Sequence, residues 1–202
     1  MRIGLFGGTF SPPHKGHVAA AACFCERFSL DRLLVVPAFV PPNKADCEIL
    51  PSEHRVAMCR LAFSGIPDCE VSRIELDRGG TSYTYLTLEE LAMPDRELFL
   101  LMGTDMFLTL GSWKRPDVIF RLSTVVAAGR FDDDETAREM EKTREVLQRD
   151  YGASIAFLDN PIVEVSSTFL REKIARGEDV SEWLSDPVVE YIRKERLYDV
   201  YR

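Results

Sequence analysis

Apolar positions in this 202-residue chain fall into two kinds of pattern. Short continuous runs recur at Ile3–Phe6, Leu33–Val36, Leu98–Met102, Thr124–Ala128 and Ile155–Leu158. Between most of them lie longer mixed stretches, His17–Phe28, Ser52–Phe63, Tyr83–Leu91 and Asp134–Tyr151, which predict helices. Short, fully apolar strands separated by helices indicate an α/β protein whose mostly parallel sheet is covered by helices on both faces. Two further helices carry clear end signals. Ser166-Ser167-Thr168 precedes Phe169–Ala175, with Gly177 beyond as a stop. Ser185-Asp186-Pro187 supplies an N-cap and an N1 proline for a helix through Arg193. No repeat or linker divides the chain, so residues 1–202 read as a single domain with a small helical part from about residue 166.

Composition narrows the partners. Hydrophobic content of 46% and charged content of 29% suit a soluble globular protein. A net charge of -8 argues against a nucleic-acid polymer, which needs a basic face, but leaves room for a mononucleotide. The five cysteines, Cys23, Cys25, Cys47, Cys59 and Cys69, are odd in number and lack a Cys-x-x-Cys pair. Free thiols in a reducing cytoplasm are the expectation. The first strand begins almost at Met1, leaving no room for a signal peptide. No apolar run approaches the roughly 18 residues needed to cross a membrane. Asp132-Asp133-Asp134-Glu135 suits a solvated helix N-terminus better than a metal site. The chain is compatible with a homo-oligomer without requiring one.

The candidate chemistry starts at the first strand's end. Two of the three histidines, His14 and His17, form a His-x-Gly-His cluster after the pair Gly7-Gly8 and directly before the helix-like Val18–Ala22. Adjacent glycines let backbone approach a ligand closely. A strand, a tight loop and a helix N-terminus form an anion site, because unpaired N–H groups and the helix dipole point at the ligand. Two zinc ligands are the competing reading, but no third ligand lies nearby in the sequence. In such sheets ligands bind outside the carboxyl ends of the strands, which is where this loop falls.

The string Gly7-Gly8-Thr9-Phe10-Ser11-Pro12-Pro13-His14-Lys15-Gly16-His17 resembles the nucleotidyltransferase signature Gly-Gly-Thr-Phe-Asp-Pro-x-His-x-Gly-His, with Ser11 in place of Asp. Ser166-Ser167-Thr168-Phe169-Leu170-Arg171 resembles the Ile-Ser-Ser-Thr-x-x-Arg motif of the same superfamily. Features between the two are similar to the bacterial nicotinate-nucleotide adenylyltransferase branch. They are Pro41-Pro42-Asn43-Lys44, Ser82-Tyr83-Thr84 with Thr87-Leu88, and Met102-Gly103-Thr104-Asp105 followed by Trp113. Val188, Tyr191-Ile192 and Leu197-Tyr198 resemble that branch's C-terminus.

The resemblance implies a Rossmann-like nucleotidyltransferase fold. It also implies AMP transfer from ATP to nicotinate mononucleotide, giving deamido-NAD and pyrophosphate in NAD biosynthesis. His14, His17 and Arg171 are the implied catalytic residues. Gly7, Gly8, Thr9, Phe10 and His17 would face ATP, with Gly103, Asp105, Ser166, Ser167, Thr168 and Arg171. Lys44, Thr81, Ser82, Tyr83, Thr84, Asp105 and Trp113 would face the nicotinate nucleotide, the amides of Thr81 to Thr84 receiving its carboxylate. Trp113 suits either ring stacking or plain packing. Arg130 is a weaker phosphate candidate. Mg²⁺ is expected on the ATP phosphates, with no metal ligand from the protein. Pantetheine-phosphate adenylyltransferases usually carry Thr in place of His14, and cytidylyltransferases lack the Ser-Tyr-Thr context. A nucleotide-binding sensor that kept the fold without turnover is the alternative of another class.

Overall fold

A computed structural model describes residues 1–42, 49–129, 134–159 and 165–198. Chain order runs β1 (Arg2–Gly8), α1 (Lys15–Arg27), β2 (Arg32–Pro37), α2 (Ser52–Phe63), β3 (Cys69–Val71), α3 (Ile74–Arg78) and α4 (Thr84–Leu91). It continues with β4 (Glu97–Gly103), α5 (Thr104–Thr109), a 3-10 turn at Leu110–Ser112, α6 (Pro116–Leu122) and β5 (Ser123–Gly129). The last elements are α7 (Asp134–Tyr151), β6 (Ile155–Asp159), α8 (Ser167–Ala175) and α9 (Asp186–Glu195).

The six strands form one sheet, ordered β3-β2-β1-β4-β5-β6. Every pairing in it is parallel. Alternate residues serve opposite faces. Ile3, Leu5, Leu98, Leu100 and Val125 pack under α4, α6 and α7 through Leu88, Ile119 and Met140. Phe6, Leu33, Val35, Phe99 and Val126 meet α1 and α2 through Phe24, Cys59 and Phe63. Burial on both faces is why these strands read as unbroken apolar runs. Gly4 interrupts the first run because a Cβ there would lie 2.5 Å from Leu30 Cδ1 and 2.8 Å from Phe24 Cε1.

A third cluster joins the C-terminal helices to α2: Met58 packs with Leu170, Leu184, Val188, Ile192 and Tyr198. All five expected strands form, and β3 is a sixth that the apolar pattern did not mark. With three residues on the sheet edge, none of them buried, it leaves no run to detect. The expected Asp134–Tyr151 helix is present as α7. The short helices α3, α5 and α6 also went unmarked, although Pro116 at the start of α6 is a standard first-turn residue. Cys47 lies outside the described residues, as do Asp132 and Asp133. No helix among the described residues is long and apolar enough to cross a membrane.

Candidate active site

Strand order reverses between β1 and β4, and their carboxyl ends open onto a cavity of about 1830 Å³. Gly7 and Gly8 act differently at its wall. A Cβ on Gly7 would meet nothing within 4 Å, so its position stays open to a ligand. One on Gly8 would sit 2.9 Å from Cζ of Phe10. Phe10 has φ 48, a left-handed conformation that costs on the order of 1 kcal/mol for a residue with a Cβ. Its ring is buried and meets Phe6, His17 and Phe63 edge to face, at centroid distances of 5.4, 5.2 and 5.8 Å. That packing holds the turn.

Helix α1 begins at Lys15, two residues before the sequence pattern suggests, because His14 is its N-cap. The His14 backbone N–H donates to Nδ1 of His17 at 3.1 Å, and the His17 N–H donates to Nδ1 of His14 at 3.3 Å. The rings stack with centroids 3.6 Å apart. Burial lowers the pKa of His14 to about 4. Burial, and secondly the charge of His14, hold His17 well below its ordinary value. Both rings are therefore neutral at pH 7. With each Nδ1 occupied as an acceptor, each ring carries its proton on Nε2, as a donor at the cavity wall.

The loop's carbonyls are held from behind. Arg55, from α2, donates through Nη1 to the Thr9 carbonyl at 3.1 Å and through Nε to the Leu50 carbonyl at 3.0 Å. Arg171 donates to the Ser11 carbonyl at 2.9 Å, and Ser167 Oγ to the Pro12 carbonyl at 2.9 Å. Arg55 is 1% exposed and escaped the sequence reading. Its signal was present, since it shares a helix face with Met58, Cys59 and Ala62 at i+3, i+4 and i+7. In the second motif the hydroxyls divide the work. Ser166 caps α8 by accepting from the Phe169 N–H at 3.1 Å, and Thr168 Oγ1 accepts from Arg171 Nη2 at 3.0 Å. Ser167 and Arg171 border the cavity. Ser11 is buried, with its hydroxyl 3.1 Å from that of Tyr198.

Across the cavity, Thr81 bridges Val40, and Ser82 binds the same segment twice. Ser82 Oγ accepts from the Phe39 N–H at 2.8 Å, and its own N–H donates to the Val40 carbonyl at 2.9 Å. Helix α4 starts at Thr84, and the Tyr83 N–H donates to the Thr81 carbonyl at 2.9 Å. The Ser82 and Tyr83 amides are thus already paired, although both residues border the cavity with Thr84. Buried Thr87 fixes this start by donating to Glu75 at 2.8 Å and accepting from Arg78 at 3.0 Å. Gly103 caps α5, and Asp105 lies exposed in its first turn at the cavity. Half-buried Trp113 reaches the cavity after the 3-10 turn and donates through Nε1 to Thr109 Oγ1 at 3.3 Å. Asn43, Lys44 and Arg130 lie outside the described residues. Among the described residues no cluster of three His, Cys, Asp or Glu could hold a metal ion.

Comparison with known proteins shows the family and the fold. A cytidylyltransferase-like family profile matches residues 5–173. A "Probable nicotinate-nucleotide adenylyltransferase" of Desulfatibacillum aliphaticivorans is 33% identical, over 98% of this chain and 100% of that protein. One from Lachnoclostridium phytofermentans is 36% identical over 98% of each chain. The solved Plasmodium falciparum nicotinic acid mononucleotide adenylyltransferase complexed with NaAD shares the fold. Its TM-score is 0.76 at 16% identity, covering 98% of this chain and 97% of that one. From its opening glycines to its last helix, this chain belongs to the cytidylyltransferase-like nucleotidyltransferases, in the nicotinate-nucleotide adenylyltransferase family.

Proposed function

We propose that the cavity binds ATP beside nicotinate mononucleotide and joins them into deamido-NAD with release of pyrophosphate. The observation that carries this reading is the Arg171-to-Ser11 hydrogen bond, 160 residues apart in sequence, which brings both phosphate motifs to one cavity. An oxygen of the pyridine nucleotide's phosphate attacks the α-phosphorus of ATP. The bond from that phosphorus to the β-phosphate oxygen breaks, and its electron pair leaves with pyrophosphate. The attacking phosphate is already ionised at neutral pH, so the protein supplies no general base. Its work is positioning and charge stabilisation.

His14 and His17 donate from Nε2 to the phosphates, and arriving negative charge favours protonation of those rings. Arg171 contributes a fixed positive charge beside them. Mg²⁺ enters with the substrate on the triphosphate, since it keeps phosphate oxygens and water as ligands. The Thr84 and Tyr85 amides at the start of α4 suit the nicotinate carboxylate, Trp113 suits the pyridine ring, and Asp105 suits a ribose hydroxyl. Lys44 belongs to the same proposal as a phosphate contact.

Pyrophosphate release tests the reading, using ATP and Mg²⁺ with nicotinate mononucleotide, nicotinamide mononucleotide or phosphopantetheine at equal concentrations. The expected result is turnover at least tenfold faster with the nicotinate nucleotide. Equal rates with the nicotinamide form would remove the carboxylate pocket. Turnover with phosphopantetheine alone, or ATP binding with no turnover, would overturn the proposal.

A further inference from the structure

Tyr198, beyond the last helix, meets the signature loop through its hydroxyl. Tyr198 is 4% exposed and adopts φ 68, left-handed for a residue with a Cβ. Its ring packs in the cluster of Met58, Leu170, Val188 and Ile192. A phenylalanine would fill that apolar space equally well. The hydroxyl instead reaches Ser11 Oγ at 3.1 Å, 187 residues away in sequence. Ser11 is itself buried, and its carbonyl accepts from Arg171 Nη1 at 2.9 Å. One residue of the loop is thus gripped twice, by its side chain from Tyr198 and by its backbone from Arg171.

We propose that Tyr198 is a positioning residue for phosphate transfer: through Ser11 it fixes the loop against which the Arg171 guanidinium is aligned. Burial keeps the phenol protonated far above neutral pH, so the hydroxyl is always available as a donor. The Arg171 and Arg55 guanidinium groups hold the same loop, at the Ser11 and Thr9 carbonyls. Losing the hydroxyl leaves Ser11 Oγ buried without this partner, and the loop relaxes to satisfy it. A loop displaced by a fraction of an ångström misaligns the transferring phosphoryl group while the nicotinate end of the cavity is untouched.

The inference rests on the adenylyltransferase reading, so the wild-type chain is assayed first; absence of turnover there refutes that reading instead. Steady-state kinetics and thermal melts of Tyr198→Phe, Ser11→Ala and the double variant then test Tyr198. The expected result is a kcat reduced about tenfold in each single variant, with KM for nicotinate mononucleotide within twofold and Tm within a few degrees of wild type. The double variant should be no slower than either single one, because both remove the same hydrogen bond. A kcat within twofold of wild type in Tyr198→Phe, or multiplicative effects in the double variant, would overturn the proposal. So would a large fall in Tm with unchanged kcat per folded molecule. If Tyr198→Phe does not fold, Ser11→Ala decides alone: reduced kcat with an intact melt supports the positioning role, and wild-type kcat removes it.

Discussion

His14 and His17 cap one another: each ring's Nδ1 accepts the other residue's backbone N–H, at 3.3 and 3.1 Å. The signature spacing is therefore a helix-capping geometry as well as a chemical one. A three-residue separation lets an N-cap side chain and an N3 side chain exchange bonds. The exchange also selects the tautomer, leaving both Nε2–H groups as donors at the cavity.

Acid should unfold this chain through His14. Its folded-state pKa of about 4 lies below the unfolded value near 6.5, so the unfolded chain takes up the proton first. Stability is complete above pH 6.5 and is lost as pH falls towards 4, with about 2 kcal/mol gone from this one ring at pH 5. Urea unfolding of wild type and His14→Asn at pH 7.5 and pH 5 measures the difference. An equal pH response in the two would show that His14 titrates normally.

His17→Ala should keep the fold and lose turnover. Its missing cap bond costs about 1 kcal/mol, while loss of a phosphate donor lowers kcat by roughly 10²- to 10³-fold. Pyrophosphate release with saturating substrates, beside a thermal melt, separates the two effects. Near-normal turnover would remove His17 from the reaction.

Arg55 holds two carbonyls from a fully buried position. Arg55→Met should lower stability by about 1.5–3 kcal/mol, because two half-buried carbonyls lose a charged hydrogen-bond donor. Turnover should fall with it, since one of those acceptors is Thr9 in the signature loop. Denaturant melts together with kcat at a temperature where the variant is folded provide the check.

Ser82→Ala should raise KM for nicotinate mononucleotide by roughly three- to tenfold, matching a lost hydrogen bond of 0.5–1.5 kcal/mol. The hydroxyl joins the segment after β2 to the start of α4. KM for ATP should change by less than twofold. A larger effect on ATP would detach Ser82 from the nicotinate side.

The sheet was legible in the sequence because strands buried on both faces need continuous apolar runs, and all five runs became strands. That the signature loop would lie at the cavity was legible because glycines, histidines and a helix start follow the first strand in the order an anion site needs. Of the amides expected to be open from Thr81 to Thr84, those of Ser82 and Tyr83 are already taken. The Thr81 and Val40 carbonyls take the Tyr83 and Ser82 N–H groups, and a pairing with a distant segment leaves no local mark. Arg55 and Tyr198 were missed as site residues for the same reason. Periodicity puts Arg55 on the buried face of α2, but it carries no record of a partner at least 46 residues away, which is how both residues reach the loop.

The loop is written at residues 9–12, yet three of its holding partners, Ser167, Arg171 and Tyr198, come from the last quarter of the chain. During synthesis the signature leaves the ribosome first and waits for nearly the whole translation before those partners exist. Closing so long a span is entropically slow, so assembly of the phosphate loop belongs among the last events of folding. A nascent chain cut short before α8 therefore carries the recognisable glycines and histidines without the grip that aligns them. The family's most conspicuous string of residues is also the last part of this molecule to become a site.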